Sequence, residues 1–349
     1  MIAYAARLAA AATLVFSSGL LAPAQAADDT TVNIYSYRQP DLIKPVLDAF
    51  TKETGIETQV LFINKGLEER VQAEGENSPV DLILSTDISR LVNAKDMGIT
   101  QPVESEELAS AIPAEYRDEE GNWFGLTRRG RVIYASKERV DTDEMDYADL
   151  ADEANRGRIC IRDGQHSYNL GLFGSLIARW GEEKTEEWME GLRDNLARRP
   201  DGNDRAQAQG IYSGECDLAL GNTYYVGLMQ TNEKEPEQQE WAKAIKVIFP
   251  TIGEYGTHVN ISGMALAKHA PNAEAAKKLM TFLASDEAQR IYAGQVFEYP
   301  VKDSVPASDI VKGFGELDAD DLPLSDVASH RRAASEMVDR VGLNQGPTN

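Results

Sequence analysis

Apolar residues recur along the chain with a period that switches between two and about 3.6 residues. "TVNIYS" sets Val32 and Ile34 on one face of a strand; Leu42, Ile43, Val46, Leu47 and Phe50 then fall at helical spacing until Gly55 stops the helix. "ETQVLFI" predicts a second strand and residues 66–75 a helix. "VDLILS", led in by Pro79, predicts a third and buried strand, and Asp87 caps a helix over "ISRLVNA". Strand, helix and strand in succession predict an α/β sheet with parallel neighbours. "GNWFGLTRRGRVIYASKERV" breaks this rhythm with an aromatic pair, a basic cluster and a long β-prone run, and reads as a crossing from one lobe to another. The alternation resumes through "GRICIRD", a helix carrying Leu170, Phe173, Leu176 and Trp180, the strand "CDLALGN" and "WAKAIKVIFP". "GTHVNISGMALAKHA" is then the return crossing, and Pro271 opens a capped, amphipathic helix over "PNAEAAKKLMTFLAS". Two crossings by strands make a hinge of two segments. Beyond Ser304 the pattern predicts loops and one further helix, "DVASHRRAASEMVDRV", whose mixed charges form a solvated face.

Length agrees with two lobes, because 349 residues exceed what one compact core organises. The expected division is residues 27–127 with 254–303, residues 128–253, and a tail over 304–349. The first 26 residues combine one base, Arg7, an apolar middle and Ala24-Gln25-Ala26, which together read as a secretory signal peptide cleaved before Ala27. Pro23 and the polar Asp28-Asp29 speak against a retained membrane anchor. The mature chain is therefore expected to be exported, with no membrane insertion after cleavage. Cleavage removes one of 35 basic residues and none of 57 acidic ones, leaving a net charge of −23. That balance excludes nucleic acid and anionic membrane surfaces as partners. Cys160 and Cys216 each lie in a short, strand-like apolar run, and an oxidising compartment favours a disulfide between them over two free thiols. Closing such a loop is worth about 4 kcal/mol in the chain-entropy account. Without a CxxC spacing the two cysteines make no zinc site.

No catalytic constellation emerges: there is no GxSxG, no P-loop, no GxGxxG after a strand and no HExxH. The histidines at 166, 258, 269 and 330 lack ligand spacing and read as surface or hydrogen-bonded core residues. The chain is not expected to be an enzyme. Candidate chemistry lies instead at "GNTYYVG", residues 221–227, after the strand "CDLAL". Adjacent residues of a continuing strand point to opposite faces, so only a turn or helix start aims both rings into one cleft; Gly221 and Asn222 mark such a break. A phenol is a hard oxygen donor whose proton leaves readily when a small, highly charged cation binds, and three phenolates neutralise a ferric ion. On residues alone, two ordinary, partly buried tyrosines are the better explanation of the pair.

From Val32 to about Val341 the chain resembles the ferric-iron-binding periplasmic proteins of bacterial ABC importers. The resemblance rests on "YSYRQPDLI", "ADLADEANRGRICIRDG" with "HSYNLGLF", "LARRPDGNDRAQ", "GNTYYVG" and "GTHVNISG". It implies a two-lobed type II periplasmic-binding-protein fold, the Venus flytrap, and iron ligands at Tyr168, Tyr224 and Tyr225. Some members of this superfamily place a histidine or a further tyrosine just after the first strand, where this chain has Arg38-Gln39-Pro40. The pattern resembles the branch that completes the metal's shell with an exogenous anion, carbonate being preferred. Arg129 matches the expected anion-gripping position, with Arg128 and Arg131 as fallbacks, since guanidinium grips planar oxyanions at two points. Gln39 is expected to reach the anion from the opposite lobe, and Asn203 and Asn222 to hydrogen-bond phenolate or anion. The implied protein is a monomer that captures ferric iron and delivers it to an inner-membrane ABC permease. Two other readings stay open: a binder of a small organic ligand or oxyanion on the same fold, and an iron-sequestering protein uncoupled from transport.

Overall fold

The structure is a computed structural model describing residues 30–302 and 304–348. The expected signal peptide, residues 1–26, lies outside the described residues. The first lobe opens with β1 (Thr31–Ser36), α1 (Pro40–Thr54), β2 (Glu57–Phe62), α2 (Leu67–Glu74), β3 (Leu82–Ser85), α3 (Ile88–Asp96) and α4 (Glu106–Ala111). The long strand β4 (Phe124–Ser136) leads into the second lobe, which contains β5 (Ile159–Cys160), α5 (Ser167–Trp180), α6 (Glu182–Asp194) and α7 (Asp204–Ser213). β6 (Leu218–Asn222), α8 (Thr223–Gln230), α9 (Glu237–Ala244) and β7 (Ile245–Ile248) complete it. β8 (Val259–Leu266), α10 (Ala273–Leu283), α11 (Asp286–Ile291) and β9 (Tyr299–Pro300) return to the first lobe, and the tail forms α12 (Asp309–Lys312), α13 (Leu324–Ser329) and α14 (Arg331–Val341).

β1 lies between β2 and β3, parallel to both, as the intervening helices require. β8 is antiparallel to β3 and to the first half of β4, as far as Gly130. From Arg131 onward β4 instead pairs with β6 and β7, both antiparallel, while β5 and β6 run parallel. A single strand thus serves both sheets, changing partners between Gly130 and Arg131. The parallel expectation holds within each lobe's α/β units, whereas the crossing strands β4 and β8 are antiparallel because the chain must go out and come back. The His258 carbonyl accepts from the Arg131 amide at 3.0 Å, so the return crossing meets β4 where the outgoing strand changes sheets.

Each lobe buries its own core. Ile34, Phe50, Leu82, Met264 and Leu279 pack together in the first, and Ile133, Phe173, Trp188, Leu218 and Met337 in the second. Cys160 and Cys216 are joined in a disulfide, with their Cα atoms 5.9 Å apart, and it staples β5 to the start of β6.

Two helices differ from the sequence reading. The α10 helix begins at Ala273, not at Pro271, and the Asn272 side chain does not cap it. Asn272 instead turns back to Asp81 at the head of β3, donating its backbone and side-chain N–H groups at 2.7 and 3.1 Å. The single tail helix is in fact two, α13 and α14, broken at His330, whose Nδ1 donates to the Asp326 carbonyl at 2.8 Å and closes the first of them. The break lets α13 lie between α3 and α5 while α14 lies against α5 and α6. Leu324 and Val327 of α13 join a first-lobe core with Ile83 and Ile261, whereas Met337 and Val338 of α14 join the second. Nor is the charged face simply solvated: Arg331 reaches the buried Asp87 at 3.6 Å and Arg340 pairs with Glu186 at 2.7 Å. Among the described residues no helix is long and apolar enough to cross a membrane.

Candidate functional site

"GNTYYVG" straddles the junction between β6 and α8, so Tyr224 and Tyr225 occupy the first turn of a helix. Their rings lie 4.3 Å apart at 31° and turn toward the same cavity. The two glycines are there for contact. A Cβ on Gly221 would sit 2.1 Å from the Tyr134 ring, and one on Gly227 would sit 2.5 Å from the Phe297 ring. Tyr168 arrives from the first turn of α5, which His166 caps by accepting the Tyr168 amide on Nδ1 at 3.2 Å. The Tyr168 and Tyr224 hydroxyls then meet at 3.1 Å. Three phenols thus line one cavity of about 190 Å³.

Burial holds the Tyr224 phenol far above its ordinary pKa, with Tyr168 and Tyr225 adding to the effect. The Tyr225 phenol is also raised, by burial first and then by Tyr168 and Asp204. Both therefore keep their protons at neutral pH, and a cation ligated by them would have to displace those protons. The wall supplies compensating positive charge. Arg162 lies 5.1 Å from the centre of the Tyr168 ring and Arg205 4.9 Å from that of Tyr225, and both line the cavity. From the first lobe come Tyr37, Arg38, Gln39 and Arg90. Arg38 is itself paired with the fully buried Glu298 at 2.7 Å. The Tyr37 hydroxyl donates to Glu68 and accepts the Leu67 amide, so its oxygen is engaged away from the other three phenols. Among the described residues no group of three or more His, Cys, Asp or Glu side chains is placed to hold a metal.

The other sequence candidates are dispersed around this cavity. Gln39, just ahead of α1, lines it opposite the tyrosines. Asn203 lines it too, but its Oδ1 caps α7 by accepting the Arg205 and Ala206 amides at 3.0 and 3.1 Å. Asn222 is buried behind the cavity, where its Oδ1 accepts from Arg131 at 3.1 Å and its Nδ2 has no hydrogen-bond partner. Arg129 sits 5.3 Å from the Tyr168 ring centre; it donates through Nη2 to the Thr86 carbonyl, and its buried Nη1 has no partner. Arg128 points elsewhere, to the Tyr116 hydroxyl at 3.0 Å, and Arg131 pairs with the buried Asp204 at 2.8 Å. Burial would raise the Asp204 carboxyl, but Arg131 and Arg162 outweigh it and hold the group below its ordinary value. Sequence reasoning did not single out Arg162, Arg205 or Tyr37. All three stand inside the quoted motifs, and their convergence depends on β5 lying beside β6 and on the first lobe facing both.

A family model described as bacterial extracellular solute-binding protein matches residues 35–290. Over 313 residues the chain is 40% identical to iron uptake protein A1 of Synechocystis sp., spanning 89% of this chain and 87% of that one. Among solved structures it is similar to apo ferric ion-binding protein A of Pasteurella haemolytica, with 46% identity and a TM-score of 0.87 over 90% of this chain and 98% of that one. A Trichodesmium protein in complex with iron and citrate is similar at 39% identity and a TM-score of 0.83, over 90% of this chain and 99% of that one.

Proposed function

The chain belongs to the bacterial extracellular solute-binding protein family and has the two-lobed periplasmic-binding fold, and from that premise we propose that it captures ferric iron in the periplasm for uptake. The observation that carries this reading is the convergence of Tyr168, Tyr224 and Tyr225 on one cavity walled by guanidinium groups. Three phenolate oxygens match a ferric ion in charge and hardness. The names of the relatives, an iron uptake protein and a ferric ion-binding protein, support the same cargo. The mature protein starts after a signal peptide ending at Ala26, works as a monomer and hands its cargo to an inner-membrane ABC permease.

Three phenolates leave the ion's coordination incomplete, and an oxyanion, carbonate by preference, fills the rest. Guanidinium forks suit such an anion. Arg162 and Arg205 face the cavity, Arg129 holds an unpartnered Nη1 behind Tyr168, and Gln39 approaches from the first lobe. Asn203 and Asn222 steady this shell from further out. Iron and anion settle on the second lobe first; the first lobe then closes by rotation about β4 and the return crossing.

Ferric loading of the purified protein is expected to produce a broad visible charge-transfer band. Tyr224→Phe and Tyr225→Phe each keep the ring, delete the donor oxygen, and weaken or abolish the band. In bicarbonate-depleted buffer wild-type affinity falls and added bicarbonate restores it, while Arg129→Ala loses about ten-fold or more, the worth of one charge-assisted contact. Wild-type band and affinity in both tyrosine variants would move the site elsewhere. Equally tight binding with and without bicarbonate would remove the anion.

A further inference from the structure

Beneath the tyrosines lies a second polar cluster, which meets the cavity only through Arg162. Its centre is Asp204, the first residue of α7 and fully buried. The carboxylate accepts from Arg131 at 2.8 Å, from Arg162 at 3.1 Å and from the backbone amide of Asn222 at 2.9 Å. Arg131, on β4 and 2% exposed, turns both Nη groups to the same neighbours, Nη2 to Asn169 Oδ1 at 2.7 Å and Nη1 also to Asn222 Oδ1 at 3.1 Å, while its buried Nε has no partner. Asn169 turns its amide N–H group back to the carbonyls of Arg162 and Asp163, both at 3.1 Å.

The positions of these residues in the chain give the cluster its meaning. Asn169 follows Tyr168 directly, Asn222 precedes Tyr224 by two residues, and Asp204 precedes Arg205, which stands over the Tyr225 ring. α5, α7 and α8 begin at different places in the sequence, and their first turns meet at one carboxylate and one guanidinium. Burying an acid between two bases is weak ground for stability, because desolvation offsets most of the attraction. It is a strong device for fixing relative position, since every lone pair and N–H used has a direction.

We propose that Asp204 and Arg131, with Asn169 and Asn222 as their outer contacts, are positioning residues that hold the helix carrying Tyr168 and the helix carrying Tyr224 and Tyr225 in register for a single metal ion. This rests on the ferric reading above. The cluster acts through geometry, not through its net charge. Partners that orient metal ligands are typically worth 10–100-fold in metal affinity, although they never touch the ion.

The test compares wild type, Asp204→Asn and Asn169→Ala, each loaded with ferric iron and bicarbonate. Asp204→Asn keeps the side chain's shape, but its one carbonyl oxygen cannot serve two arginines and an amide. Asn169→Ala leaves the Arg131–Asp204 pair whole and cuts its tie to α5. Both variants should lose iron to a competing chelator at least about ten-fold faster than wild type, and both should show a shifted or broadened visible band with unchanged far-ultraviolet circular dichroism. An Asp204→Asn protein with the wild-type band and release rate would overturn the proposal. So would slower release, or retention to lower pH, because removing a negative charge beside phenolates would then outweigh geometry. Should Asp204→Asn fail to fold, Asn169→Ala decides alone: faster release with an altered band supports the proposal, and wild-type behaviour overturns it. Absence of any ferric band in wild type would sink the ferric reading itself, a result distinct from all of these.

Discussion

His258 is 2% exposed, and its Nδ1 meets the Ser175 hydroxyl at 2.6 Å. Burial, followed by the nearby Arg129 and Arg131, lowers its pKa to about 3. His166 is likewise lowered to about 3, by burial and then by Arg162, in keeping with its role as a neutral acceptor capping α5. An unfolded histidine titrates near 6.5, so between about pH 6.5 and 3 the unfolded chain binds protons that the native one refuses. The stability tied to each neutral ring is complete above that window and drains away as pH falls through it, at up to about 1.4 kcal/mol per pH unit for each histidine. His258→Gln keeps a polar partner for Ser175 without the titration. Its urea midpoint, followed from pH 7 to 4, should decline less steeply than that of wild type; parallel curves would mean that His258 titrates alike in the native and unfolded chains.

The α8 helix owes its position to what its glycines lack. Phe297, the non-glycine residue with positive φ among those described, at 60°, presses its ring onto Gly227, and Tyr224 packs in the same cluster. Gly227→Ala places a methyl group 2.5 Å from that ring. It should destabilise the protein by about 1–3 kcal/mol and disturb Tyr224. Gly294→Ala, where nothing lies within 4 Å, is the control and should be close to neutral. Urea unfolding of the two variants separates these outcomes, and equal midpoints would show that Phe297 yields without strain. Much at this scale was legible in the sequence. Gly221-Asn222 announced the strand-to-helix break before α8, Asp87 the cap of α3, and the run after Trp123 a strand long enough to pass between lobes. The break at His330 was not legible, because no glycine or proline marks it and the cause is tertiary: α13 must pack between α3 and α5 while α14 packs on α5 and α6. The cavity-facing arginines were hidden for the same reason, since Arg162 and Arg205 meet only once β5 and β6 are side by side.

Across the whole molecule the second lobe carries all three phenols, the cluster around Asp204 and the disulfide, while the first contributes a facing wall. Replacing both cysteines by serine should cost about 4 kcal/mol in unfolding free energy from loop entropy alone, and the loss should appear in urea unfolding of the metal-free protein. A loss below about 1 kcal/mol would mean that packing already confines the loop in the unfolded chain. The bond's location matters beyond its strength. β5 runs on toward Arg162 and Tyr168, and β6 runs directly into Tyr224 and Tyr225, so the link between Cys160 and Cys216 ties together the two strands that deliver the oxygens. Thiols stay reduced in the cytosol and pair once outside it. A chain with both thiols reduced thus holds those strands by hydrogen bonds and packing only. On the reading proposed above, the three tyrosines would reach their fixed spacing only after the chain has left the cytosol.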